Sequence, residues 1–124
     1  MIAIDTSSLI AFLSGSKGPD VEWVDKVLSD KIAVLPPVVL TELLSDSSLP
    51  KTTLELFTQI PLLNLSTHYW NNAGLLRAKI ISAGFKARLA DTLIAQACIE
   101  NAVPLITRDK DFRHFQKYGG LKLL

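Results

Sequence analysis

Soft metal ligands are almost absent from this chain: one cysteine, Cys98, and two histidines, His68 and His114, in 124 residues. Three such residues, widely separated, cannot supply the Cys/His shells that structural zinc requires. A lone cysteine also excludes an internal disulfide and points to a reducing compartment, the cytoplasm. Cys98 lies in an apolar stretch and reads as a small core residue. No apolar run approaches the ~20 residues of a membrane-spanning helix. The opening "MIAIDTSS" has no basic region and reaches an acid at position 5, so it does not read as a secretory signal. Net charge is only +1, so bulk charge does not announce a nucleic-acid binder.

What is present is an ordinary globular composition, 48% hydrophobic, at a length that favours one domain over residues 1–124. Charge is unevenly placed. Residues 1–76 carry 4 Lys+Arg against 8 Asp+Glu, whereas residues 77–124 carry 9 against 4. The basic C-terminal part suits either phosphate or solvent.

Short apolar runs alternate with helical patterns. Strands are expected at 2–5, 32–35, 61–65 and 103–107, with a possible edge strand at 121–124. Helices are expected at 7–13, 20–30, 36–44, 51–60, from Thr67 to about Ala83, across 87–101, and over "DKDFRHF". Thr6 or Ser7 is available to cap the first. This order predicts an α/β fold: a parallel four- to five-stranded sheet flanked by helices on both faces.

The stretch "ARLADTLIAQACIEN", 87–101, is apolar on nearly every side, as a buried helix is. It nevertheless carries Asp91 near its start, where an unpaired charge costs several kcal/mol. Of the twelve acids, Asp20, Glu22, Asp25, Asp30, Asp46, Glu55 and Glu100 fall on polar faces, turns or helix ends, and solvation accounts for them. Asp5, Glu42, Asp91, Asp109 and Asp111 remain. Ligands in open parallel sheets bind beyond the carboxyl ends of the strands. Asp5 ends the first strand and Asp109 follows the fourth. The Asp91 helix runs into the fourth strand through a short connection, so its N-terminus lies at the same edge. Glu42 is on a helix that starts at that rim, although topology leaves its rotation open. Two like charges 4 Å apart repel by ~4 kcal/mol at an effective dielectric near 20. Gathered carboxylates therefore need protons or a cation, and an all-oxygen set favours Mg²⁺ or Mn²⁺. Helix capping by Asp5 or Asp109 and a dipole role for Asp91 are the structural alternatives.

Four blocks, "IDTSSL", "LTELL", "LADTLIA" and "LITRDKDF", resemble in order and spacing the signature blocks of PIN-domain ribonucleases. The compact size and the "TRDKDF" ending look most like VapC-type toxins of bacterial toxin–antitoxin pairs. The resemblance implies that Asp5, Glu42, Asp91 and Asp109 are catalytic. Asp5, Asp91 and Asp109 would ligate one or two Mg²⁺ or Mn²⁺ ions, and Glu42 would be a further ligand or orient the attacking water. Thr6, Ser7 and Thr107 match supporting hydroxyls, and Asp111 a further acid of less settled role. It implies in-line hydrolysis of RNA leaving a 5′-phosphate and a 3′-hydroxyl. It implies a homodimer held inactive by a small VapB-type antitoxin. Among Lys86, Arg88, Arg108, Lys110, Arg113 and Lys117, Arg88 and Arg108 adjoin site acids and are the expected RNA contacts. A non-catalytic PIN-like interaction module is the alternative. A receiver-like phosphoacceptor would need an acid where Asn64 stands, and a haloacid-dehalogenase-like phosphatase would need Asp-x-Asp where the chain has "DTSS".

Overall fold

A computed structural model describes residues 1–124. The chain order is β1 (Ile2–Ile4), α1 (Thr6–Leu13), α2 (Pro19–Ser29), β2 (Ala33–Val34), α3 (Pro37–Leu44), α4 (Lys51–Phe57), α5 (Tyr69–Ser82), α6 (Leu89–Asn101), β3 (Leu105–Ile106) and α7 (Phe112–Gly119). The sheet has three strands in the order β2-β1-β3, all parallel, with Ala3 opposite both Val34 and Leu105. Parallel neighbours need crossovers, and right-handed ones put α1–α2 and α3–α6 on opposite faces.

The expected fourth and fifth strands each shrink to one bridge, Leu35 with Leu62 and Leu105 with Leu123. The first has a chemical reason. Pro61 has no N–H to extend the ladder. Beyond Leu63 the chain is drawn off by the end of α6: Asn101 Nδ2 donates to the Asn64 carbonyl at 2.9 Å, and Glu100 accepts from the Ser66 N–H and hydroxyl, both at 2.8 Å. Glu100 is thus a tether rather than a solvated helix end. At the other edge Leu105 N donates to Lys122 O and Leu124 N to Leu105 O, which pairs only Leu123.

One continuous core of 26 buried residues joins sheet and helices, with Ile4, Leu9, Leu35, Leu43, Ile80, Leu105, Phe112 and Phe115 fully enclosed. Cys98 is among them, and burial pushes its thiol up to about 12, which makes it unreactive at neutral pH. The helix α6 packs against α3, α5 and α7 at once, which explains its apolar circumference. Its Thr92, Ile94, Ala95, Gln96, Ala97 and Cys98 are all buried. Several helix ends differ from expectation: α4 stops at Phe57, α5 starts at Tyr69 with His68 in the cap position, and α7 extends to Gly119. Trp23 and Trp70 are exposed, while Tyr69 is core and donates its hydroxyl to the Leu93 carbonyl at 2.6 Å. No helix is long and apolar enough to cross a membrane.

Candidate active site

The residue that leaves β1 is the centre of the site. Asp5 is 4% exposed. It occupies the cap position of α1, so neither Thr6 nor Ser7 caps that helix. Its side chain does not cap the helix either. Instead its Oδ2 accepts from Ser7 Oγ at 2.6 Å and from Thr107 Oγ1 at 2.8 Å. Thr107 follows β3, so its hydroxyl ties the ends of β1 and β3 together. Burial pushes the Asp5 carboxyl above its ordinary range. The Ser7 and Thr107 hydroxyls oppose that shift, and the Glu42 charge adds to it.

Thr107 also accepts from the Asp109 backbone N–H at 3.1 Å, and Asp109 Oδ1 accepts from the Asp111 N–H at 2.9 Å. These bonds fold residues 107–111 into a tight turn that carries Asp109 just past Thr107, the partner of Asp5. The helix α7 starts at Phe112 with Asp111 in its cap position, so Asp109 shapes the turn and does not cap the helix. The rotation of α3, which topology left open, is resolved by a single bond: Thr6 Oγ1 donates to Glu42 Oε1 at 2.7 Å. Glu42 therefore reaches across to the residue after Asp5.

Asp91 lies in the first turn of α6, half-buried. Its carboxyl is raised to about 6 by burial first, then by the charges of Asp5 and Asp109, with Glu42 adding a smaller push; Arg88 alone opposes them. Asp91 thus feels the charge of acids from three other parts of the chain at one rim. Asp111 is part of the same turn. As the side chains lie, no three His, Cys, Asp or Glu groups converge tightly enough to hold one ion among them. The donor set itself is wholly oxygen, four carboxylates with Thr6, Ser7 and Thr107, and its chemistry fits a hard divalent cation.

Arg108 does not project into this site. Its Nε and Nη2 grip the two carboxylate oxygens of Asp20 at 2.9 and 3.1 Å, and Nη2 also donates to Lys17 O at 3.3 Å. Ser8 Oγ donates to the same carboxylate at 2.9 Å. Asp20 is therefore not a solvated acid; it clamps the turn carrying Asp109 to the start of α2. Gly18 has φ 150°, and a Cβ there would stand 2.7 Å from Asp20 Oδ1 and 3.3 Å from Arg108 Nη2, so the clamp closes only over a glycine. Nothing in the local sequence revealed this pair, whose members are 88 residues apart. The Arg108 hydrogen bond holds the Asp20 carboxyl below its ordinary value. A depressed carboxyl stabilises the fold above its unfolded pKa and loses that contribution as pH falls through the folded one. Asp20→Asn should therefore lower the urea midpoint at pH 7 by about 0.3 M, as a partly exposed ion pair allows, and the deficit should shrink as pH falls below the ordinary carboxylate value.

His114 stacks on Phe85, ring centres 4.3 Å apart, and His68 heads α5; neither joins the acids. Arg88 is exposed at the head of α6, three residues before Asp91.

Comparison with known proteins gives a consistent pattern. A family model described as PIN domain matches residues 2–118. The fold is similar to a crystal structure of VapBC-5 from Mycobacterium tuberculosis, at 21% identity and TM-score 0.71, covering 99% of this chain and 96% of that one. It is similar to VapBC2 from Rickettsia felis, solved bound to a DNA fragment from the promoter of that pair, at 23% identity and TM-score 0.73, covering 100% and 98%. It is also similar to FitAcB from Neisseria gonorrhoeae, at 17% identity and TM-score 0.71, covering 100% and 96%.

Proposed function

Because the chain belongs to the PIN-domain family, we propose that it is a Mg²⁺- or Mn²⁺-dependent endoribonuclease and the toxin of a toxin–antitoxin pair. The observation that carries the chemistry is the gathering of Asp5, Asp91, Asp109 and Glu42 at one sheet edge, where burial first and then the neighbouring carboxylates raise Asp91 to about 6. Its relatives' association with toxin–antitoxin pairs supports the biological role.

In this reading Asp5, Asp91 and Asp109 hold the ion. Bound there, a divalent cation lowers the pKa of water and offsets charge on the phosphoryl oxygens. Ser7 and Thr107 fix the Asp5 carboxylate, each through one short hydrogen bond. Thr6 fixes Glu42, which is placed to accept a proton from attacking water. Asp111 braces the Asp109 turn through its backbone N–H. Arg88 lies on the approach to Asp91 and contacts an incoming RNA phosphate. A small VapB-type antitoxin would inhibit the protein by covering this rim, and the active form is a homodimer.

The direct test incubates the purified chain with total cellular RNA. Discrete fragments with 5′-phosphate ends are expected with Mg²⁺ or Mn²⁺ and none with EDTA. Expression should arrest growth, and co-expression of the adjacent antitoxin gene should restore it. Intact RNA under both ions together with normal growth would leave only a non-catalytic interaction module.

A further inference from the structure

The acidic rim has a cationic neighbour. Between the β3–α7 turn and the C-terminal edge lies a notch of about 180 Å³, whose walls include Thr107, Asp109, Lys110, Arg113, Leu123 and Leu124. We propose that this notch binds a backbone phosphate of the single-stranded RNA adjacent to the one being cleaved, through Lys110 and Arg113. The inference rests on the endoribonuclease reading and adds the path of the strand.

Three observations carry it. First, the notch and the acidic site share walls. Thr107 bonds Asp5 on one side and lines the notch on the other, and Asp109 belongs to both. A strand seated at the acids and running toward the sheet edge at Leu123 enters the notch within a nucleotide or so. Second, two of the three cations that line it, Lys110 and Arg113, are free. The ion pairs of the protein are Lys26 with Asp30 and Arg108 with Asp20, and neither Lys110 nor Arg113 is in one. Arg108, the cation expected at this place from sequence, is spent on Asp20 and cannot serve. Third, Arg113 is held in position. Its Nε donates to the Lys110 carbonyl at 3.2 Å, which leaves both terminal nitrogens for two phosphate oxygens. Leu123 and Leu124 give the sugar an apolar wall.

A rim bearing four acids repels a polyanion. Cations within one nucleotide of it offset that repulsion and set the register, while base identity is read elsewhere. A carboxylate-bearing segment of a partner protein would meet the same two cations, but it would gain nothing from the shared wall with the acids.

The test compares the wild-type chain, the double variant Lys110→Gln/Arg113→Gln, and Lys31→Gln, whose side chain lies before β2 at the opposite end of the sheet. Anisotropy of a labelled random-sequence single-stranded RNA is followed in EDTA across a salt series. Each lost phosphate contact flattens the slope of log K against log salt by about 0.7 for single strands. The double variant should be shallower by about 1.4, with affinity reduced alike for all sequences. Lys31→Gln should match wild type. In Mg²⁺ the double variant should show a raised KM with kcat little changed, because the acids are untouched. A double variant with wild-type slope and KM overturns the proposal while RNA cleavage by the parent upholds the activity. The same holds if the variant loses only its grip on a protein partner. A parent that neither cleaves nor binds RNA overturns both.

Discussion

Asp5→Asn is expected to slow RNA cleavage by about 10²–10³-fold and to leave the protein folded. Asparagine keeps the shape of the side chain and an oxygen that Ser7 and Thr107 can still reach. It loses only the charge, and with it one ligand of the proposed divalent ion. Transition-state charge stabilisation of several kcal/mol converts to that range at tenfold per 1.36 kcal/mol. Folding should not suffer. The buried carboxylate is disfavoured by its surroundings, with a pKa above the ordinary value, so neutralising it removes a cost. The measurements are fragment yield against time in Mg²⁺ and a urea melt of the same preparation. Full cleavage with unaltered Mg²⁺ dependence in the variant would remove Asp5 from the chemistry. A collapsed melt would make it a structural residue instead.

The second large effect is thermal, and it centres on Asp91. In EDTA its carboxyl titrates near 6 in the folded chain against 3.8 when unfolded. The folded state then holds the proton more tightly, so stability is highest below the unfolded value and declines as pH rises from about 4 to about 6. The loss amounts to about 1–2 kcal/mol once the half-exposed position is allowed for. Asp91→Asn should flatten that decline and melt higher than wild type at pH 7 in EDTA. A divalent ion reverses the order. At a concentration about 100 times its Kd it stabilises a folded binder by about 2.7 kcal/mol, roughly 10 °C for a domain of this length. Mn²⁺ should therefore raise the wild-type melting temperature and leave Asp91→Asn almost unmoved. Because the ligands must shed protons, the Mn²⁺ effect should fade as pH drops below 6. Equal Mn²⁺ shifts in both proteins would place the ion somewhere other than the acidic rim.

These two experiments probe opposite sides of one balance. The rim gathers carboxylates that repel one another. On the proposed reading, a divalent ion turns that repulsion into affinity. Hydroxyl bonds from Ser7, Thr107 and Thr6 hold Asp5 and Glu42 at the rim. The clamp between Asp20 and Arg108 holds the Asp109 turn from outside.

Order along the chain was enough to bring three of the four acids to one edge. Alternating short apolar runs and helical patterns imply parallel strands. Parallel strands force Asp5, the start of the Asp91 helix and Asp109 to one edge, because a helix that feeds a strand must run against it. Hydrophobic period and backbone chirality carry that information locally, so a single sequence displays it. Strand number, the partners of individual charges and the rotation of α3 are different in kind. They depend on contacts between residues far apart in sequence: Asn101 and Glu100 pulling the segment after Leu63 out of the sheet, Asp20 taking Arg108 away from the rim, Thr6 catching Glu42. A side chain's partner is settled by whatever else the folded chain brings within about 3 Å, a distance at which hydrogen bonds form and which no local pattern encodes.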